Sequence, residues 1–132
     1  MNRPALQQIS KTRAREANTL LKTGHFLGSY YLIGYAVECA LKACVAKNVR
    51  RYDFPDKKLA NEAFTHDLEK LVRVAGLMQT LERDMKTAPG LELNWAIVKD
   101  WSEASRYKLD ITEAEARDIY SACTARKNGV LA

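Results

Sequence analysis

Residues His25–Lys47 read HFLGSYYLIGYAVECALKACVAK, and this stretch decides the fold. Between Phe26 and Val37 no residue carries a charge; Glu38 and Lys42 then appear one helical turn apart among Ala, Leu, Cys and Val. A helix that is apolar nearly all round is buried on several sides, in a protein core or in a membrane. The charge-free run is about a dozen residues, whereas a bilayer span needs roughly 20. Extending the run through Val45 would place both charges in the middle of the span. The stretch therefore reads as the central helix of a soluble bundle.

The rest of the composition agrees with that reading. A chain of 132 residues fits one domain, taken as 1–132, and can bury a core without disulfides or metals. A hydrophobic fraction of 47% with 28% charged residues is that of an ordinary globular protein, which excludes a disordered chain. The net charge of +5 permits an anionic partner without demanding one. Cys39, Cys44 and Cys123 all fall inside expected helices, and their odd number is unlike a secreted disulfide framework. The opening MNRPALQQISKTRAREAN has neither the apolar core of a signal peptide nor transit-peptide character. A cytoplasmic protein with reduced thiols is expected.

Outward from the central stretch, the chain divides into helices. The first is expected from about Asn2 or Pro4 to Lys22, with Pro4 in its first turn and Gly24 just past its end. The short connection to the second helix predicts an antiparallel hairpin. Gly28 and Gly34 each cost the second helix about 1 kcal/mol relative to alanine, so they are expected where another helix comes close. Asn48–Phe64 reads as a basic loop with, at most, a short helix near Lys58–Ala63. Thr65 is expected to cap a helix carrying Leu68, Leu71, Val72 and Ala75 inward, stopped or bent at Gly76. Leu77, Met78, Leu81 and Met85 continue the pattern to a turn at Pro89-Gly90. Asn94 is expected to cap a short helix through Trp101, followed by an irregular stretch over Ser102–Asp110. Thr112 and Glu115 form a capping box for a last helix, closed by Asn128-Gly129, with Ala116, Ile119, Tyr120 and Cys123 facing inward. No segment alternates with period two, so the fold class is all-α.

Several chemistries can be weighed from the residues. Cys39 and Cys44, five apart, lie about 140° apart on a helix, and no C-x-x-C or H-x-x-x-H pair exists, so no metal site is expected. Small buried thiols are the ordinary alternative. Only His25 and His66 could serve as bases; His66, expected just inside a helix start, reads either as a locally bonded histidine or, with Asp67, as a functional pair. Glycine-rich phosphate loops are missing and no cofactor is indicated. Glu38 and Lys42 have the favourable i, i+4 order of a helical ion pair, and buried charges need partners. They read as a structural polar network or as the lining of a binding cleft, with Arg106 of WSEASRY as the expected partner of Glu38. Basic groups at Lys11/Arg13/Arg15, at Arg50/Arg51 with Lys57/Lys58, and at Arg126/Lys127 suit a phosphate backbone or a plain solvated surface. Tyr52 and Phe54 interleave with the second group.

Taken in order, YYLIGYAVECALKA (Tyr30–Ala43), Phe54-Pro55, THDLEKL (Thr65–Leu71) and the NWxxVxxWSxxSRY block (Asn94–Tyr107) resemble the bacterial HEPN domain proteins. The blocks lie between Tyr30 and Tyr107, about three-fifths of the chain, and their order is more specific than any one of them. The resemblance implies an up-and-down bundle of four or five main helices, a homodimer, and a prokaryotic toxin–antitoxin or defence operon shared with a minimal nucleotidyltransferase. It also implies, for active members, a metal-free ribonuclease whose motif is an Arg followed by a His on a late helix. This sequence departs from that motif: Arg117 and Arg126 are followed by no histidine, and none follows Arg106. What carries over is the polar set Glu38, Lys42, His66, Asp67, Arg106 and Tyr107.

The expectation is thus a non-catalytic binding or regulatory module with a nucleotide, RNA or nucleotidyltransferase as partner. One alternative is an endoribonuclease toxin with a displaced Arg106/His66 site. The other is a purely structural helical dimer.

Overall fold

The computed structural model describes the backbone at residues 2–51, 65–108, 110–125 and 128–131, with side chains at all of these except 48–51 and 106. Among them there are six α-helices and no strand. Helix α1 (Arg3–Lys22) and α2 (Phe26–Arg51) form the first hairpin. Then come α3 (Leu68–Val74), α4 (Met78–Thr87), α5 (Pro89–Val98), a 3-10 helix η1 (Glu103–Tyr107) and α6 (Glu113–Thr124). The all-α class holds, and the described residues alone carry six α-helices, one more than the upper figure of five expected.

The α1–α2 turn follows from one glycine. Gly24 has φ +83°, a conformation that costs other L-residues about 1–2 kcal/mol. His25 N–H then donates to Leu20 O at 2.8 Å and Gly24 N–H to Leu21 O at 3.4 Å, which is the Schellman pattern. The returning helix runs antiparallel, as expected. Two buried hydroxyls hold the pair together: Ser29 donates to Ala17 O at 2.8 Å and Ser10 to Ala36 O at 2.7 Å.

Helix α2 is the hub. Its Ile33, Ala36 and Val37 meet Leu68, Leu71 and Val72 of α3, Trp95 and Val98 of α5, and Ile119, Ala122 and Cys123 of α6 in one core. Trp101, after α5, lies flat on the backbone of α2. A Cβ built on Gly34 would come within 2.1–2.3 Å of three atoms of its indole. Close approach at Gly34 is therefore real, but the neighbour is a side chain and not a helix. At Gly28 the neighbour is also a side chain, Leu20 Cδ1 at 3.1 Å, but one carried by the packed helix α1.

Several boundaries differ from the sequence reading. Helix α2 continues to Arg51, so Asn48–Arg51 are helical and not loop; the remainder of the basic loop, Tyr52–Phe64, lies outside the described residues. Asp67, not Thr65, caps α3: its carboxylate accepts from Lys70 N–H at 3.1 Å, while the Thr65 hydroxyl accepts from Asp67 N–H at 3.1 Å. Pro89-Gly90 opens α5 instead of forming a turn, since a proline at the first helical position gives up no needed N–H. Asn94 thus sits within α5, and its side chain donates to Asn128 O at 2.8 Å. The stretch after Trp101 is partly regular, as η1.

The capping box of α6 forms with one variation. Thr112 accepts from Glu115 N–H at 3.1 Å, and its hydroxyl also lies 3.1 Å from Glu115 Oε1, so the carboxylate returns to the hydroxyl and not to the backbone. The helix ends at Thr124. Asn128, at φ +67°, turns the chain back so that Val130 and Leu131 bond Ala122 O and Cys123 O. No helix among the described residues is long and apolar enough to cross a membrane.

Candidate functional site

A carboxylate in the middle of an apolar helix must find cations or donors, because an unpaired buried charge costs several kcal/mol. Glu38 is in that position, with its side chain 2% exposed. Lys42, one turn on, places Nζ 3.2 Å from Oε2. The second partner comes from another part of the chain: His66 Nδ1 lies 3.0 Å from both Oε1 and Oε2 of Glu38. On the other side of the ring, Nε2 is 2.6 Å from Glu103 Oε2.

Local sequence explains how three segments meet. Asp67 fixes where α3 begins and the Thr65 hydroxyl holds Asp67 N–H, so the residue between them is directed back onto α2. Glu103 stands in the first turn of η1, whose start is set by Ser102 accepting from Ala104 N–H at 3.1 Å. His66 is consequently the residue before the cap of its helix and bonds across the fold, not locally. Its side chain is 48% exposed although both nitrogens are engaged.

The result is a carboxylate–imidazole–carboxylate chain with a lysine at its buried end. An imidazolium donates at both nitrogens; either neutral tautomer donates at one and meets the other carboxylate without a proton. The ring ties the start of α3 and the start of η1 to α2. With both nitrogens occupied, it offers no free position to a substrate proton or a metal ion in this arrangement.

Of the expected polar set, Glu38, Lys42 and His66 come together, and the Glu38–Lys42 pair is the one anticipated. Asp67 is committed to capping α3. Tyr107 is 72% exposed on η1. The side chain of Arg106, expected to pair with Glu38, lies outside the described residues. Glu103 was not anticipated. Its signal was a carboxylate in the same WSEASRY segment, reachable only through a histidine that can face two acids at once.

Two further polar groups are buried beside these elements. Trp101 Nε1 and Ser105 Oγ have no hydrogen-bond partner among the described residues. The Trp101 ring also leans on Tyr31, centroids 5.9 Å apart, and Tyr31 stacks on Tyr35 at 6.2 Å.

The cysteines divide by burial. Cys39 and Cys123 are buried and Cys44 is half-buried. Burial pushes the Cys123 thiol up to about 12 and raises that of Cys39. Because the thiolate is the nucleophile, iodoacetamide at about pH 8 should label Cys44 first, with Cys39 and Cys123 slower by on the order of tenfold or more. Peptide mass spectrometry of the native protein checks this. The same shift has a pH consequence. Between the ordinary value of 9.0 and about 12 the unfolded chain releases a proton that folded Cys123 keeps. Stability should therefore fall as pH rises through that window, which urea denaturation at a series of alkaline pH values measures.

Among the described residues, no group of three or more His, Cys, Asp or Glu side chains is placed to hold a metal ion. Of the basic groups, Lys11 and Arg15 are exposed and Arg13 pairs with Glu16. The side chains of Arg50, Arg51, Tyr52, Phe54, Lys57, Lys58, Arg126 and Lys127 lie outside the described residues. No family model, no curated protein and no solved structure matches this chain.

Proposed function

We propose that the chain is a HEPN-like binding or regulatory module of a prokaryotic two-component system, cytoplasmic and homodimeric, with a nucleotidyltransferase partner and a nucleotide or RNA ligand. The observation that supports this reading is convergence: Glu38, His66 and Glu103 come from three of the four sequence blocks that carry the resemblance, and they join in one polar cluster. Engagement of both His66 nitrogens by carboxylates favours a positioning role over acid–base chemistry. A carboxylate beside the ring would also repel the phosphate of an RNA substrate.

Two experiments test it. Sedimentation at micromolar concentration should give a dimer; monomer alone would remove the homodimer from the proposal. Purified protein incubated with total RNA should leave it intact. Cleavage that disappears in His66→Ala would replace the binding module with the ribonuclease reading. In the genome, a nucleotidyltransferase reading frame adjacent to this one is expected.

A further inference from the structure

The face of α2 turned away from Glu38 carries a feature the polar cluster does not use. At about 100° per residue, Ala40, Ala43, Cys44 and Lys47 centre about 180° from Glu38 around the helix. There α1 and α2 enclose a groove of about 420 Å³, within the roughly 300–1,000 Å³ of small-molecule sites. Ala14, Ala40 and Ala43 line it with small apolar surfaces, and Arg3, Lys11 and Lys47 also line it. No acidic side chain lines it, and no carboxylate among the described residues pairs with any of the three cations.

Three cations with no carboxylate partner among the described residues, lining an apolar trough, select an anion with an apolar body. A lining that carries cations and no acid is positive in potential, which favours an anion. A carboxylate would supply one negative charge, whereas a phosphate ester supplies about 1.5 to 2 at neutral pH. We propose that this groove binds a small phosphate ester, its phosphate drawn by the positive lining of Arg3, Lys11 and Lys47 and its apolar body on Ala14, Ala40 and Ala43. This deepens the binding reading above by giving the ligand a chemistry and a place, and rests on it only in treating the chain as a binding module.

The groove has a built-in reporter, since half-buried Cys44 also lines it. Full-length protein is titrated calorimetrically with AMP, inorganic phosphate and octanoate, and Cys44 alkylation is timed with and without AMP. AMP should bind at least tenfold more tightly than phosphate or octanoate and slow Cys44 alkylation at least fivefold. The double variant Lys11→Gln/Lys47→Gln, at two exposed positions that leave the core intact, should weaken AMP binding at least tenfold. Lys86→Gln, an exposed cation on α4 outside the groove, should leave it unchanged. The proposal is overturned if AMP does not bind, if phosphate or octanoate binds as tightly as AMP, or if the double variant binds AMP like the parent. Loss of AMP binding in Lys86→Gln would also overturn it by taking the ligand away from the groove, while leaving the binding-module reading standing. Failure of the groove with an intact dimer is likewise distinct from failure of that reading.

Discussion

Gly34→Ala should destabilise the fold by about 2 kcal/mol, even though alanine is the better helix former. Helix propensity alone favours the substitution by about 1 kcal/mol. Against it stands the Trp101 indole, whose Cε2, Nε1 and Cδ1 would lie 2.1–2.3 Å from the new Cβ. That contact forces the indole off α2, and overpacking a core costs about 1–3 kcal/mol, with a rigid ring at the upper end. Urea denaturation of the single variant measures the loss. Adding Trp101→Leu supplies the control, because without the indole Gly34→Ala should become neutral or mildly stabilising. A Gly34→Ala protein as stable as the parent would mean that Trp101 does not lie on Gly34.

Glu38→Gln should cost about 2 kcal/mol while keeping the volume of the side chain. Removing one partner of a fully buried ion pair costs about 3–5 kcal/mol, chiefly because the other charge is stranded. Here the partners are not fully buried: Lys42 is 22% exposed and His66 48%, so both can recover water. That places the cost below the buried-pair range. The loss should be accompanied by loosening of the start of α3 and of η1, seen as faster amide exchange over 65–71 and 102–107, while the α1–α2 hairpin remains protected. Uniform loosening across all helices would show that Glu38 supports the whole core and not these two attachments in particular.

The central helix was legible because a dozen charge-free residues followed by an i, i+4 acid–base pair suit a buried helix and little else. The inward positions of α3 and α6 followed from helical spacing, and Gly24 and Gly76 ended their helices as glycines with positive φ do. Where the sequence misled, two local signals competed. Thr65 and Asp67 are both good caps, and only the choice of Asp67 frees His66 to turn back. Pro89-Gly90 suits a turn as well as a first helical turn, and packing of Trp95 and Val98 decides for the helix. Glu103 was hidden for a different reason. A sequence shows that buried Glu38 needs a partner, but a histidine that links it to a second carboxylate is a property of three segments brought together by the fold.

The sharpest test of this arrangement is a double-mutant cycle of Glu38→Gln and His66→Gln, read by urea denaturation. Because His66 Nδ1 lies 3.0 Å from Glu38, the two losses should fall short of additivity by about 1 kcal/mol or more. Additivity within about 0.3–0.5 kcal/mol, the behaviour of distant independent sites, would contradict the linkage of α3 and η1 to α2 through this histidine.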